Sequence, residues 1–252
     1  MECIIPDWPD APAAIGALST TRRGGVSKAP YGDGGGGGGL NLGTHVGDAA
    51  PAVAANREIV RSLLPGDPRW LMQVHGNTVT DAAAIRTETG EAPAADASIA
   101  TQPGVVCAIG TADCLPVLFC DRNGTVVGAA HAGWRGLAAG ILEETVAQMR
   151  MAGAGDIVAW LGPAIGPANF EVGEEVLAAF SARDSRAENA FMPGLAGKYF
   201  ADIYQLARMA LGRIGIDSVS GGGLCTVADA RKFYSYRRDG VTGRMASLIW
   251  IR

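Results

Sequence analysis

The sequence has few residues of the types that bind several metal ions or form disulfides: three histidines and five cysteines among 252 residues. Five is an odd number, and the cysteines are widely spaced in a chain long enough to bury a large core without covalent links. We therefore expect reduced thiols and a cytoplasmic location. A cluster of several copper ions is disfavoured, because such clusters consume many imidazoles.

Long hydrophobic runs and basic patches are also missing. No segment approaches the roughly 18 apolar residues that cross a bilayer, and the N-terminal segment has an acidic second residue and early prolines where an export signal would have basic and apolar regions. The net charge is −4, and the lysines and arginines are too scattered to form a face for a nucleic-acid backbone. We expect neither a membrane nor a nucleic acid as a partner.

Apolar runs of strand length alternate with helical patterns, and 48% of the residues are hydrophobic. Most of these runs lack polar alternation, which is typical of strands with both faces buried. The pattern predicts a layered α/β sandwich with mixed β-sheets, forming a single domain over residues 1–252. The predicted strands are Ile15–Thr20, Trp70–Val74, Val105–Gly110, Val117–Cys120, Val126–Ala130, Ile157–Leu161 and Ser247–Ile251.

Helical spacing of apolar residues predicts four helices. The first follows Pro51, with Asp48 as its cap and Pro65 as its stop; the second begins near Trp134 and ends at Gly153 or Gly155; the others span Glu174–Phe180 and Phe200–Ile214. The glycine run Gly34–Gly39 predicts a mobile loop, because backbone entropy opposes regular structure there.

Two histidines and one cysteine are the strongest candidates for chemistry. His75 and His131 close glycine-flanked segments after predicted strands, and Cys114 lies in a turn between two others. Two imidazoles and a thiolate suit zinc and leave a fourth tetrahedral position open. The same types also serve a metal-free hydrolase, with Cys114 as nucleophile and either histidine as its base. Ordinary structural roles stay open as well, because the three positions are dispersed along the chain.

Other polar residues are candidates for substrate binding. Arg57, on the first predicted helix, could bind phosphate through its planar fork or pair with a neighbouring carboxylate. Asn41 and His45 could hydrogen-bond a base or ribose, or could stabilise a turn. Gln73 could share the face of His75, and Arg135 could bind an anion at a helix start.

One acidic residue and one cluster near the C-terminus each admit several roles. Asp113, next to Cys114, could orient a histidine, act as a base or cap a turn. An aromatic and basic cluster near the C-terminus could stack a purine or simply pack. This cluster contains Tyr234, Tyr236, Arg237 and Arg238.

Several long motifs together closely resemble the laccase-domain family, formerly described as multi-copper polyphenol oxidases and now regarded as purine nucleoside phosphorylases. They are AADASIAT, TADCLPVLF, AAHAGWRGLAAGI, GPAIGPANFEVG and FYSYRRDGVTGRMASLIWI, and the resemblance extends upstream through TTRRGGVS, LNLGTHVGD and AANRE. The glycine run departs from the family pattern.

The resemblance implies an α/β sandwich and a metal held by His75, Cys114 and His131. The implied metal is zinc, with copper possible in its place. The implied activities are phosphorolysis of adenosine, inosine and methylthioadenosine, and deamination of adenosine, with nucleoside and phosphate as small-molecule partners. We expect a monomer or a weak homodimer, with the glycine run at the rim of the site.

Overall fold

The structure, a computed structural model, describes residues 1–86 and 92–252. The strands in this part of the chain are β1 Cys3–Ile4, β2 Ile15–Thr20, β3 Arg23–Ser27, β4 Pro68–Arg69, β5 Val79–Asp81, β6 Ala97–Ala100, β7 Val106–Thr111, β8 Leu115–Asp121, β9 Val127–Ala132, β10 Ile157–Leu161, β11 Glu171–Val172, β12 Phe191–Pro193, β13 Tyr199–Ala201, β14 Val219–Gly221 and β15 Met245–Ile251. The α-helices are α1 Ala50–Arg61, α2 Trp134–Ala139, α3 Ile141–Met151, α4 Glu174–Ser181, α5 Ile203–Arg213 and α6 Tyr236–Asp239, and 3₁₀ turns occupy Ala82–Ala84 and Ser185–Ala190.

All of the described strands except β3 belong to three sheets. The first has the order β1-β2-β15-β7-β4, antiparallel except for the parallel pair β4 and β7. The second has the order β14-β10-β8-β9-β6-β5 and carries parallel pairs at both edges. The third is a small antiparallel sheet, β11-β13-β12. The prediction of mixed sheets is confirmed.

The two large sheets pack face to face, with helices on their outer faces. In β7, Cys107 and Ile109 point between the sheets, whereas Val106 and Ala108 face the layer of α1. β8 alternates in the same way, with its other face against α3 and α5. Each large apolar side chain that leaves water, such as Ile109 or Val106, contributes roughly 1.5–3 kcal/mol. Burial on both faces explains why these strands lack polar alternation, and the layered α/β sandwich is confirmed.

Two predicted elements are wrong in detail. The helix predicted from Trp134 to the Gly153 region is two helices, because Gly140 has a φ of 94° and ends α2 before α3 begins. The run Trp70–Val74 is not a strand: pairing with β7 ends at Arg69, and beyond it only Met72 makes an isolated bridge, to Ala94.

Helix ends also differ from the prediction. Asp48 does not cap α1, because its carboxylate accepts hydrogen bonds from the Ser27 hydroxyl and the Asn41 amide instead. α1 ends at Arg61, before Pro65. The segment predicted as helix from Phe200 begins with β13, and α5 starts only after Asp202, whose side chain accepts from the Gln205 N–H. In the described residues, none of the helices is long and apolar enough to cross a bilayer.

Candidate functional site

The three predicted ligands converge where the chain crosses from one large sheet to the other. Cys114 lies in the connection from β7, in the first sheet, to β8, in the second. His131 is in β9, paired with Pro116 of β8, and His75 is in the loop that follows β4. The ligand atoms of the three side chains all lie within 4.8 Å of one another.

Their spacing fits a single small ion. The Cys114 Sγ lies 3.8 Å from the His75 Nε2, and the two imidazole rings are 4.7 Å apart with their planes at 78°. Tetrahedral zinc with its usual bond lengths places neighbouring ligand atoms about 3.5 Å apart. The three ligand atoms therefore need to approach one another by a few tenths of an ångström to about 1 Å to reach the tetrahedral spacing. The donor set of one sulfur and two nitrogens is one that zinc favours.

A buried carboxylate, Asp96, holds both histidines. One oxygen accepts from the His75 backbone N–H at 2.9 Å and from the His131 Nδ1 at 2.8 Å. The other accepts from the N–H groups of Val74 and Gly76. Burial alone would raise the pKa of Asp96, but these hydrogen bonds lower it. The charged carboxylate thus fixes the proton of His131 on Nδ1 and turns Nε2 toward Cys114.

The sequence did not single out Asp96; it pointed to Asp113 instead. The Asp113 carboxylate accepts from the Thr226 hydroxyl at 2.5 Å and from the Arg237 N–H at 2.6 Å, so it ties the Cys114 turn to α6. Its role is structural support of the turn. The only sequence signal for Asp96 was its position within the AADASIAT motif.

The backbone adopts an uncommon conformation at two points beside the ligands. Among the described residues, three that are not glycine have positive φ, and two of them are His75 at 62° and Asp113 at 92°. Histidine and aspartate tolerate this region better than most side chains, but it persists only where surrounding contacts enforce it. Here the contacts of Asp96 and Asp113 do so.

Cys114 and His131 shift each other's protonation. Burial alone would raise the pKa of the Cys114 thiol, but the two adjacent histidines lower it to about 6. Burial alone would lower the pKa of His131, but Cys114 and Asp96 raise it to about 9. At neutral pH the pair is therefore a thiolate beside an imidazolium, and the imidazolium proton is the one that a metal cation displaces.

Gly133 leaves the space in which the three side chains meet. A Cβ built at this position would lie 3.0 Å from the Cys114 Sγ, 3.0 Å from the His75 Cδ2 and 3.6 Å from the His131 Cε1. Its backbone, with φ −61° and ψ 156°, is one that any residue adopts. Any larger residue here would therefore press on the Cys114 and His75 side chains, although its backbone conformation would be unstrained.

Two predicted substrate contacts serve the scaffold. The Gln73 amide donates to the Gly110 carbonyl and accepts from the Gly110 N–H, each at 2.8 Å, and so anchors the His75 loop to β7. Asn41 is fully buried, and its amide bonds Gly43, Asp48 and the Arg244 backbone. Contact of either side chain with substrate stays a prediction.

Three basic side chains, those of Arg57, His45 and Arg244, lie on or against the loop that Asn41 supports. Arg57 donates from Nε to the Leu42 carbonyl and stacks on the Trp70 ring at 4.3 Å. His45 is exposed at the loop surface, and its pKa is lowered by partial burial and by the charges of Arg244 and Arg57. Arg244 also lies against this loop, and it was not among the residues that the sequence indicated as candidates.

The remaining candidates lie at the surface or in the core. Arg135 is exposed and lies over the Trp134 ring at 4.4 Å. Within the C-terminal cluster, Tyr234 is fully buried and packs in the core, whereas Tyr236 is 62% exposed. Of the two tyrosines, only Tyr236 therefore offers a face for stacking.

The glycine run forms a turn around Asp33, whose carboxylate accepts from the N–H groups of Gly35 and Gly37. With Arg22, Ser27 and Lys28 it lines a cavity of about 510 Å³, whose lining includes none of the triad. The mobility of the run and its place at the rim of the site stay predictions.

Known proteins match the chain over nearly its whole length. A family model described as multi-copper polyphenol oxidoreductase laccase matches residues 16–252. The chain is 53% identical over 250 residues to purine nucleoside phosphorylase PA4543 of Pseudomonas aeruginosa, covering 99% of this chain and 98% of that protein. It is 51% identical over 250 residues to purine nucleoside phosphorylase YfiH of Escherichia coli, covering 98% of each. The crystal structure of Neisseria meningitidis protein NMB0706 superimposes with a TM-score of 0.90 at 49% identity, covering 100% of this chain and 99% of that one.

Proposed function

The chain belongs to the multi-copper polyphenol oxidoreductase laccase family, and we propose that it is a zinc-dependent purine nucleoside phosphorylase. The observation that carries the proposal is the convergence of His75, Cys114 and His131 within 4.8 Å in a chain about half identical to proteins of that name. The proposed substrates are adenosine, inosine and methylthioadenosine with inorganic phosphate, and deamination of adenosine is proposed as a second activity.

Zinc would be held by these three side chains and would supply a Lewis-acid centre with one open coordination position. The protein's own residues then have defined tasks. Asp96 fixes the tautomer and direction of His131, Gly133 keeps the space between the ligands clear, and Gln73 holds the His75 loop on β7.

Phosphorolysis breaks the bond between the ribose C1′ and the base nitrogen, and a phosphate oxygen forms the new bond to C1′. The enzyme therefore has to bring two reactants together, one of them an anion, and orientation is a large part of the rate enhancement. Arg57 is the proposed phosphate contact, because its outer N–H groups are not used by the described residues and its fork suits a phosphate. Exposed Tyr236 is suited to stack a purine.

Two other activities use the same residues. A thiolate beside an imidazolium is also the resting pair of a cysteine hydrolase. That dyad needs one histidine, whereas here a second, His75, is held against Cys114 by backbone bonds to Asp96. A multi-copper oxidase needs many imidazoles. The chain has three in total, and the third, His45, is not part of the group formed by His75, Cys114 and His131.

Metal content of variants tests the assignment of the centre. We expect about one equivalent of zinc per chain, lost in Cys114→Ala together with activity, because a three-ligand site loses its geometry with any ligand. Cys120→Ala is the matched control: Cys120 is fully buried in the core, so this variant loses some stability but no ligand. Full zinc retention by folded Cys114→Ala would overturn the metal centre and favour the hydrolase.

A further inference from the structure

Two arginines far apart in sequence are fixed to the same short loop. The Arg57 Nε donates to the Leu42 carbonyl at 3.0 Å, and the Leu42 N–H donates to the Arg244 carbonyl at 3.1 Å. The Arg244 N–H in turn donates to the Asn41 side chain at 2.9 Å. One segment of backbone therefore sets the positions of both residues.

Close packing at Gly43 fixes Arg244 further. A Cβ built on Gly43 would lie 2.8 Å from the Arg244 Cγ and 3.2 Å from its Cβ, so only glycine lets the loop lie against this side chain. The stem of Arg244 is thereby held between the loop and β15. The Trp70 ring supports the guanidinium of Arg57 in the same way, at 4.3 Å.

Within the part of the chain that the structure describes, neither guanidinium has an acidic partner. The ion pairs in residues 1–86 and 92–252 involve other side chains. Within these residues, the Arg57 guanidinium makes a hydrogen bond only through Nε. The Arg244 guanidinium makes hydrogen bonds only through Nη1, which donates to the Thr242 and Gly243 carbonyls. Both side chains are half-buried, and burial lowers the pKa of each. A desolvated guanidinium normally has an anionic partner, so this pair indicates an anion site.

The site adjoins the metal ligands. Arg244 directly precedes β15, and its neighbour Met245 pairs with Thr111, three residues before Cys114. The Arg244 N–H is bonded to Asn41, and Arg57 is bonded to the next residue of the same loop, Leu42. Arg244 therefore links this loop to the turn that carries Cys114.

We propose that Arg244 and Arg57 together bind one inorganic phosphate beside the triad. Two planar forks can donate in bidentate fashion to the oxygens of a single phosphate, a geometric fit that the point charge of a lysine lacks. This inference rests on the proposed function for the identity of the anion and adds Arg244 as the residue that places phosphate on the metal side of the site.

The test is binding of inorganic phosphate itself, measured by titration calorimetry on zinc-loaded protein and on metal-free Cys114→Ala. Arg244→Gln should weaken phosphate binding about tenfold or more in both backgrounds, because each charge-assisted hydrogen bond is strong. Arg231→Gln is the matched control, because it removes the same positive charge from an exposed residue elsewhere on the surface. Arg244→Lys keeps the charge without the fork and should still lose affinity.

Unchanged phosphate affinity in Arg244→Gln, or an equal loss in Arg231→Gln, would overturn the site. So would a wild type that binds no phosphate. If Arg244→Gln does not fold, the phosphate affinity of Arg244→Lys is compared with that of Arg231→Gln instead, and an unchanged affinity overturns the site. Binding that depends on Arg244 in a protein that releases no base would support the anion site and contradict the proposed phosphorylase, so the two proposals can fail separately.

Discussion

Gly133→Ala is the most selective perturbation of the metal centre that the structure offers. It adds one methyl group at a point 3.0 Å from the Cys114 Sγ and 3.0 Å from the His75 Cδ2. Non-bonded carbon contacts are optimal at about 3.5–4.0 Å, so both side chains must give way by a few tenths of an ångström. Metal ligands have to be placed to within about 0.2 Å. The methyl group therefore displaces two of the three ligands.

The fold should tolerate the same change. The Gly133 backbone conformation is open to alanine, and replacing glycine at such a position stabilises by about 0.4–1 kcal/mol through the unfolded state. Overpacking costs about 1–3 kcal/mol. The net loss of stability should therefore be no more than roughly 2–3 kcal/mol, whereas zinc affinity should fall by at least about tenfold.

Competition with a chromogenic chelator measures the zinc affinity, and thermal unfolding of the metal-free protein measures the stability. Gly212→Ala is the control, because Gly212 is an exposed glycine in α5 with open space around its Cβ position. It should bind zinc like the wild type and gain about 0.5–1 kcal/mol of stability. A folded Gly133→Ala protein with wild-type zinc affinity would refute the proposed geometry.

Two further variants probe the support of the centre and the phosphate contact. Asp96→Asn should weaken zinc binding about 10- to 100-fold, because His131 loses its charged partner; a competition titration that gives wild-type affinity would contradict this. Arg57→Lys should raise the Michaelis constant for phosphate about tenfold while leaving zinc content unchanged, because lysine lacks the planar fork; initial rates over a range of phosphate concentrations measure it, and an unchanged constant would remove Arg57 from the phosphate site.

The layered fold and the grouping of His75, Cys114 and His131 were predictable from the sequence. Strands such as β7 and β8 are apolar on both faces, which occurs where helices or a second sheet cover each side. Cys114 stands alone between two such strands, and the two histidines each follow an apolar run. The spacing of these three residues alone left several interpretations open. The resemblance of the surrounding motifs to a known family is what predicted that they form one site.

The role of Asp96 depends on strand pairing that local sequence does not encode. Asp96 directly precedes β6, and the register of β6 with β9 places it opposite His131, whose N–H donates to its carbonyl at 2.7 Å. Asp113 is nearer to Cys114 in sequence, but its carboxylate points to Thr226 and Arg237. Arg244 is likewise brought to the loop of Leu42 only by the tertiary fold.

The break at Gly140 was missed for a different reason. The apolar pattern continues across it, and a glycine within a helix costs only about 1 kcal/mol. What ends α2 is the φ of 94° at Gly140, beside an Arg183 guanidinium that donates to the Ala138 carbonyl at 2.6 Å. That contact comes from a residue 45 positions away.

Product analysis of inosine turnover, with and without phosphate, tests the central claim most directly. Purified zinc-loaded protein should release hypoxanthine only when phosphate is present, with one equivalent of ribose 1-phosphate for each base. Base release at the same rate without phosphate, with free ribose as the second product, would mean that water is the nucleophile and would contradict the phosphorylase.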